Sequence, residues 1–292
     1  MKYFLLPLAL LPATGLAEPR IAVISAFEPE WIALQDGLED AETQLINGNR
    51  FVTGTMDGQE VVLFLSGISM VNAAMTTQLA LERFEIEAIV FSGIAGGVDP
   101  DLSIGDVVVA ARWGNYLNTI MARETADGFA IPPWMTSDFG PLGMMFTRTE
   151  AVQSARADAP ERKFWFEADP ALLEKARTLA TDFDLPACNA DGTCLSEAPQ
   201  IVVGGNGVSG AAFVDNAELR EWAFREFDAQ VLDMESGAVA QVAWANEVPF
   251  IAFRSLSDLA GGGDGENEMG TFMSIAAGNS AGVVRAFLAT LD

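Results

Sequence analysis

The 292-residue chain contains no histidine, and this absence excludes several kinds of active site. A Ser-His-Asp triad, a Cys-His pair and a histidine-ligated zinc site all require an imidazole. Acid–base chemistry must therefore come from Asp or Glu, with Lys, Tyr and Cys as remote alternatives. We expect neither a metal ion nor an organic cofactor to take part.

Basic residues are scarce, since 16 Lys and Arg stand against 41 Asp and Glu and the formal net charge is −25. Nucleic acids and anionic membranes are bound through basic patches. We therefore expect neither of them as a partner and interpret the acidic excess as a solvated surface.

Cysteine occurs only twice, as Cys188 and Cys194 in PACNADGTCLS. Two cysteines this close across a turn of Asn, Asp and Gly are expected to close a small disulfide loop in an oxidising compartment. The alternative, a metal site, lacks histidine partners. A loop this short adds about 2 kcal/mol of stability, so we expect its role to be local.

Apolar runs long enough to cross a membrane are missing. The first residues, MKYFLLPLALLPATGLA, combine Lys2, a short apolar run and small residues before Ala17. This layout is typical of a secretory signal peptide. A membrane anchor is the weaker interpretation, because a span needs roughly 20 residues. We expect residues 1–17 to be removed and the mature protein to be periplasmic or secreted.

The rest of the chain alternates apolar, strand-like runs with helical patterns. The predicted strands are RIAVIS, EVVLFLS, EAIVFSG, GDVVVAARW, QIVVGG and VPFIAFRS, and the predicted helices include EPEWIALQDGLED, SMVNAAMTTQLALERF and residues 234–246. This alternation predicts an α/β fold whose sheet is covered on both faces. We expect one domain over residues 18–292.

The alternation fades between residues 112 and 169, where prolines and scattered tryptophans interrupt it. A connection this long is typically a lid or an elaboration around a site, and we expect this insertion to border the pocket. DPALLEKARTLATDF then restarts a helix, with Asp169 as its N-cap and Pro170 as its first residue.

Acidic residues follow several of the predicted strands, at the carboxyl ends where α/β folds bind ligands. Each has an ordinary explanation when taken alone. Glu28 and Glu30 would complement a helix dipole, Glu235 would be a first-turn acid, and Asp258 would cap a turn. The glycines of SGIAGG, which allow a close backbone approach, are a weak signal by themselves.

Five motifs together carry more information: SAFEPE, SGIAGG, GVSGAAFVDN, LDMES and FRSLSD. Their order and approximate spacing resemble those of the purine nucleoside phosphorylase and nucleosidase superfamily. The chain is most similar to the methylthioadenosine/S-adenosylhomocysteine nucleosidases and their secreted plant homologues, the bark or vegetative storage proteins, which also carry a Cys pair. The resemblance covers about residues 20–290. It implies a three-layer α/β fold with a central mixed sheet.

The activity that this resemblance implies is cleavage of the N-glycosidic bond of a purine nucleoside. Such cleavage passes through an oxocarbenium-like transition state. By resemblance, Asp258 would protonate the purine N7, with a pKa raised by burial. Glu235 would bind the ribose hydroxyls, and Glu30 would activate the attacking water.

The resemblance also assigns substrate-binding positions. Phe213 would stack on the purine, the backbone of Val214 would contact the purine edge, and Met234 would lie under the ribose. The other expected pocket residues are Phe27, Ile68, Ala95, Gly96, Ser257 and Phe272. Apolar members of this set fit core packing equally well.

Water is favoured over phosphate as the nucleophile. The segment AIVFSGIAGG has no Arg or Lys, and Ile94 stands where many relatives carry a phosphate-binding Ser. Arg254 is left as either an anion ligand or an ion-pair partner of Glu30 or Glu235. A phosphate-dependent phosphorylase and a non-catalytic storage or nucleoside-binding protein remain as alternatives. The family also implies a homo-oligomer, for which we expect a dimer.

Overall fold

The part of the chain that this computed structural model describes, residues 18–263 and 265–291, forms eighteen strands and six helices. The strands are β1 (Arg20–Ser25), β2 (Leu38–Ile46), β3 (Asn49–Met56), β4 (Gln59–Leu65), β5 (Ile86–Gly97), β6 (Val107–Val109), β7 (Arg112–Asn115), β8 (Thr119–Met121), β9 (Arg123–Thr125), β10 (Gly128–Ala130), β11 (Met145–Thr147), β12 (Glu150–Val152), β13 (Glu161–Lys163), β14 (Trp165–Glu167), β15 (Ile201–Val203), β16 (Asn206–Ser209), β17 (Ala229–Asp233) and β18 (Phe250–Asp258). The helices are α1 (Glu28–Gln35), α2 (Met70–Arg83), α3 (Pro170–Ala180), α4 (Ala217–Phe227), α5 (Ser236–Ala245) and α6 (Met269–Leu288). The predicted signal peptide, residues 1–17, lies outside the described residues. None of the described helices has the length and apolarity to cross a membrane.

Twelve of the strands form one mixed sheet organised around β5. Strands β1 and β18 flank β5, and both run parallel to it. The sheet continues from β1 through β4, β3 and β2, and from β18 through β6 and β15. Strand β17 pairs antiparallel with the end of β5 and leads on to β16, β7 and β14. This arrangement confirms the central mixed sheet.

An opening in the sheet lies between β1 and β17. Gly96 of β5 pairs with Leu232 of β17 and also with Asp258 of β18, so β17 occupies the same edge of β5 as β1. Because β1 runs parallel to β5 and β17 runs antiparallel, their carboxyl ends face each other. The segments that follow β1, β17 and β18 therefore meet beside the second half of β5, at a place where α/β folds bind ligands.

Helices cover both faces of the sheet and complete three layers. Helices α2 and α5 pack together on one face, with Ala73 and Val239 in the core. Helices α1, α3 and α6 bury Leu34, Leu173 and Val284 against the other face. A third cluster around α4 is built from aromatic side chains, among them Tyr116, Phe164, Trp222 and Phe227. The predicted three-layer α/β fold is confirmed.

Two predicted elements differ from the structure. The first predicted helix ends at Gln35, and its remaining residues begin strand β2, an exposed edge strand. Pairing with β3 decides this outcome, because the polar residues of β2 carry little strand signal of their own. GDVVVAARW is two strands, since β6 and β7 pair with different parts of the sheet.

The segment from 112 to 169 begins and ends inside the main sheet, because β7 and β14 pair with each other. Three small two-stranded sheets lie between them. The helix that follows starts as predicted: the side chain of Asp169 accepts the N–H groups of Ala171 and Leu172, and Pro170 is the first residue.

The predicted disulfide between Cys188 and Cys194 is present. Its loop is attached to α6, since Asn189 Nδ2 donates to Ser274 Oγ at 2.8 Å.

Candidate active site

A cavity of about 300 Å³ occupies the opening between β1 and β17. The three predicted catalytic acids, Glu30, Glu235 and Asp258, all line it, together with Asp233. Most of the predicted substrate-binding positions line it too: Phe27, Ile68, Ala95, Gly96, Phe213, Val214, Met234 and Ser257. The structure therefore brings together residues from five separate motifs.

Phe272 is the one predicted pocket residue that does not line this cavity. Helix α6 contributes Met269 instead. Phe272 lies three residues further along the same helix, about 4.5 Å along the axis, which carries it past the opening. No motif in the sequence points to Met269. It reaches the site only because α6 begins at this residue.

The expectation that the 112–169 segment borders the pocket is wrong. None of its residues is among those that line the cavity around the acids. Asn115, Asn118 and Glu150 line a different cavity of about 770 Å³, beside α2 and α5. The cause is the position of β7, which lies beyond β17 and β16 in the sheet and carries the segment away from β5.

Glu30 lies in the first turn of α1, where three backbone N–H groups hold its carboxylate. Oε2 accepts from Ala26 at 2.8 Å and from Phe27 at 3.0 Å, and Oε1 accepts from Ile94 of β5 at 2.9 Å. Burial raises the pKa of Glu30, while the charge of Arg254 and the three N–H groups oppose that rise. The carboxylate is thus fixed in place at the wall of the cavity.

Gly93 explains why the motif SGIAGG needs a glycine at this point. A β-carbon there would collide with the guanidinium of Arg254 and would lie 2.8 Å from Glu30 Oε1. Backbone without a side chain lets both groups approach β5.

Arg254 is fully buried and forms ion pairs with two acids of LDMES. Its Nε lies 2.7 Å from Asp233 Oδ2, and its Nη2 lies 3.4 Å from Glu235 Oε2. The guanidinium also lies over the ring of Phe91, 4.0 Å from the centroid. Of the two roles left open by the sequence, the structure shows the ion pair.

Asp233 is held by more than Arg254. Its Oδ1 accepts the hydroxyl of Ser209 and the N–H groups of Glu235 and Ser236. These contacts fix the turn between β17 and α5, and they hold the backbone of Glu235 beside the cavity.

Glu235 is the N-cap residue of α5, and its carboxylate reaches across to α2. Oε1 accepts the N–H of Ser69 at 2.7 Å. Burial raises the pKa of Glu235 to about 7; Arg254 lowers it, and the neighbouring charge of Asp233 raises it. The side chain therefore changes charge near neutral pH.

Ser69 is a site residue that sequence reasoning missed. It has a φ of 80°, in the region that favours glycine, at the N-cap of α2. A non-glycine residue in such a conformation costs on the order of 1–3 kcal/mol and is typical of functional sites. The turn that begins at Gly67, with a φ of 78°, is the signal in SGISMVN that could have identified it.

Asp258 is the last residue of β18 and is 3% exposed. An irregularity at Ser257 shifts the strand register, so that Asp258 pairs with Gly96. Oδ1 accepts the N–H of Ala260 at 2.8 Å, and Oδ2 accepts the hydroxyl of Ser257 at 2.9 Å. Burial raises the pKa of Asp258, which keeps the carboxyl group protonated to a higher pH than an exposed aspartate.

Phe213 and Val214 differ in exposure although they are neighbours. Val214 is buried, whereas Phe213 is 59% exposed at the edge of the cavity. An exposed ring beside a cavity offers a flat apolar surface to a ligand. Core packing, the alternative for both positions, fits Val214 only.

The arrangement can donate a proton from one side and activate a nucleophile from another. Asp258 and Glu30 are held against the same strand, at Gly96 and Ile94 of β5. No basic side chain is among the described residues that line the cavity. Within residues 18–263 and 265–291, no Asp, Glu and Cys side chains cluster as a metal site would require.

The sequence is similar to those of known proteins along most of its length. A family model described as Phosphorylase superfamily matches residues 20–289. The 5′-methylthioadenosine/S-adenosylhomocysteine nucleosidase of Bacillus thuringiensis is 33% identical over 245 residues, which cover 83% of this chain and 87% of the relative. The nucleosidase of the same name from Mycobacterium bovis is 29% identical over 271 residues, covering 93% and 97%.

Solved structures of similar fold include proteins of the same name as these relatives. The 5′-methylthioadenosine/S-adenosylhomocysteine nucleosidase of Neisseria meningitidis, in complex with methylthio-immucillin-A, has a TM-score of 0.70 and 27% identity, covering 94% of this chain and 100% of that one. The futalosine hydrolase of Helicobacter pylori, at a TM-score of 0.68 and 24% identity over 94% of this chain and 98% of that one, shares the fold. With nearly the whole described chain matched, this protein belongs to the phosphorylase superfamily.

Proposed function

We propose that this protein hydrolyses the N-glycosidic bond of purine nucleosides and releases the free base and the free sugar. The observation that carries the proposal is the meeting of three buried carboxyl groups, Glu30, Glu235 and Asp258, in one cavity. Burial raises the pKa of each carboxyl group, but the charge of Arg254 opposes that rise at Glu30 and Glu235 and is not among the causes that act on Asp258, which suits Asp258 to be the proton donor of the three.

Asp258 is the general acid. It transfers its proton to N7 of the purine while the bond between C1′ and N9 breaks and its electron pair passes to N9. The raised pKa suits this role, because a group must hold its proton at the working pH in order to donate it. Ser257 donates a hydrogen bond to Oδ2 and supports the carboxylate that remains.

Glu235 and Glu30 act on the sugar side. Glu235 accepts hydrogen bonds from the ribose hydroxyls, and its negative charge stabilises the oxocarbenium ion. Glu30 takes a proton from the water whose oxygen attacks C1′. The N–H groups of Ala26, Phe27 and Ile94 hold the Glu30 carboxylate ready for this step.

Water is the nucleophile in this proposal because the cavity suits phosphate poorly. A phosphate dianion would enter a space lined by four acidic side chains and by no basic one among the described residues. Arg254 is already paired with Asp233 and Glu235. The N–H of Ile94 is already used by Glu30, and its side chain has no hydroxyl.

The substrates are methylthioadenosine or S-adenosylhomocysteine, or nucleosides of the adenosine and inosine type. Relatives and solved neighbours carry the first two in their names. Phe27, Ile68 and Met269 form an apolar part of the lining, which suits a thioether substituent at the 5′ carbon. Export favours the second group, because methylthioadenosine arises in the cytoplasm.

Product analysis tests the proposal. The mature protein is incubated with methylthioadenosine, adenosine and inosine, with and without phosphate, and the products are separated by chromatography. Free base and free sugar at equal rates in both buffers are expected. Sugar 1-phosphate formed only with phosphate would make the protein a phosphorylase. No base from any substrate would favour a storage or nucleoside-binding protein.

The proposal includes export and dimerisation. The first 17 residues support secretion, and a mass that begins at Glu18 in the periplasmic or culture fraction would test it. On α2, Val71 and Met75 are 76% and 51% exposed, beside the larger cavity, and Ile68 at the edge of the active-site cavity is 47% exposed. A second copy that covers this apolar surface would also close the active site. Light scattering of the purified protein measures the assembly directly.

A further inference from the structure

The side chain of Asn267, just before α6, joins three parts of the site. Its Oδ1 accepts the N–H of Met269 at 3.0 Å. Its Nδ2 lies 3.2 Å from Asp215 Oδ1 and 3.4 Å from Asp258 Oδ1. Because an amide nitrogen carries two protons, Asn267 can donate to both carboxyl groups at once.

Met269 determines which way the Asn267 amide points. A backbone N–H can only donate, so the atom that faces it must be the amide oxygen. A flipped amide would place two N–H donors against each other and its oxygen against two carboxyl groups. Both N–H groups of Asn267 are therefore directed at Asp215 and Asp258.

The contact with Asn267 completes the hydrogen bonding of one oxygen of Asp258. Oδ1 also accepts the N–H of Ala260 at 2.8 Å. A carboxyl oxygen offers two in-plane lone pairs, and at Oδ1 both are occupied. In the neutral acid, the proton must therefore be on Oδ2, which accepts only the hydroxyl of Ser257 from the described residues.

We propose that Asn267 is a positioning residue that confines the acidic proton of Asp258 to Oδ2. The proposal rests on the hydrolase function given above, in which this proton passes to the purine N7. When it leaves, the C1′–N9 electron pair stays with the base, and Asp258 becomes a carboxylate. Asn267 and Ala260 then stabilise the charge at Oδ1. Through Asp215, Asn267 also ties the acid to the segment that carries Phe213.

The charges around Asp258 give the direction of the effect on its pKa. Burial raises the pKa, and Glu268, next to Asn267, adds to that rise. The N–H of Ala260, the hydroxyl of Ser257 and the amide of Asn267 oppose it. Asp215 is the other carboxyl group that Asn267 contacts. Loss of the amide would leave Asp258 with a higher pKa and with Oδ1 open to the proton.

Two substrates separate positioning of the proton from general damage to the site. Adenosine needs protonation of its leaving group, whereas p-nitrophenyl β-D-ribofuranoside releases a stable anion and does not. Asn267→Ala removes all three contacts. Asn267→Asp retains an oxygen for Met269 and removes the donors. General acid catalysis is worth about 10²–10⁴-fold, so we expect kcat/KM for adenosine to fall at least about 10-fold in both variants. The nitrophenyl substrate should change less than about 3-fold.

Asn189→Ala is the matched control, because Asn189 attaches α6 to the disulfide loop and does not contact Asp258. It should change the two rates by the same factor. Equal losses for both substrates in the Asn267 variants would mean a structural role and would overturn the proposal. Unchanged rates for adenosine would overturn it as well.

A titration that needs no turnover provides the second measurement. The ¹³Cγ signal of Asp258, assigned by its loss in Asp258→Asn, is followed against pH in the wild type and in Asn267→Ala. A higher pKa in the variant supports the proposal, and an unchanged or lower pKa overturns it. If the wild type cleaves neither of these substrates nor methylthioadenosine, the hydrolase function fails, while this titration still decides whether Asn267 acts on Asp258.

Discussion

Asp233 Oδ2 lies 2.7 Å from Arg254 Nε, and both side chains are almost completely buried. Arg254 also contacts Glu235, so a single guanidinium serves two acids of the same turn. Removing one partner of a buried pair leaves an uncompensated charge, which costs about 3–5 kcal/mol. We therefore expect loss of Arg254 to destabilise the protein strongly.

Arg254→Met should therefore reduce the free energy of unfolding by about 3–5 kcal/mol, measured by urea denaturation at neutral pH. Arg285→Met is the matched control, since Arg285 contacts Asp57 at 3.0 Å on the partly exposed surface. A surface pair contributes about 1 kcal/mol or less. A similar small loss in both variants would contradict the role given to Arg254.

Asp258→Asn should lower kcat for adenosine by about 10²–10⁴-fold, because the amide cannot donate the proton that the purine N7 needs. The asparagine keeps an oxygen for the N–H of Ala260, so the fold should be retained, as circular dichroism would show. Cleavage of p-nitrophenyl β-D-ribofuranoside should fall much less. Wild-type rates with adenosine would remove Asp258 from the mechanism.

The resemblance carried by the five motifs identified Glu30, Glu235 and Asp258, which lie at or shortly after the carboxyl ends of β1, β17 and β18. Strand ends are visible in the apolar pattern, and the fold brings them together at β5. Other features depend on contacts between distant segments, which no local pattern contains. Met269 reaches the cavity where Phe272 was expected, and strand β2 forms because β3 is beside it. The ion pair between Arg254 and Asp233 likewise depends on a contact between distant segments.

Stability should fall as the pH rises from about 4.5 to about 7, and Glu235 should account for part of this fall. Burial raises the pKa of Glu235 from 4.5 to about 7, so in that window the folded protein binds more protons than the unfolded chain. The contribution is fully present below pH 4.5 and is lost as the pH passes 7. A shift of one pKa unit corresponds to about 1.4 kcal/mol, so the contribution of Glu235 to the free energy of unfolding is on the order of 3 kcal/mol.

The comparison of wild type with Glu235→Gln isolates this contribution. Urea denaturation at pH 5 and pH 8 gives the loss of stability for each protein. Asp258, whose pKa is also raised, contributes to both and cancels, whereas the interaction of Glu30 with the charge of Glu235 is part of the difference. The wild type should lose more stability between the two pH values than the variant does. Equal losses would show that Glu235 titrates at its ordinary pKa.

Ser69→Gly should stabilise the protein, which is unusual for a residue at a functional site. Ser69 has a φ of 80°, and its side chain does not compensate for the strain, because it makes no capping hydrogen bond. Glycine adopts this φ without strain and keeps the N–H that Glu235 accepts. We expect a gain of about 1 kcal/mol, or roughly 2–4 °C in Tm, with catalysis retained.

Ser69→Ala is the matched control for this change. It also removes the hydroxyl but keeps a β-carbon in the same strained backbone, so it should bring no gain in Tm. If glycine and alanine shifted the Tm equally, the hydroxyl would be responsible and the strain argument would fail. If glycine lowered the Tm, the extra conformational entropy that glycine gives the unfolded chain would outweigh the relief of strain. The backbone strain at Ser69 would then be smaller than its φ indicates.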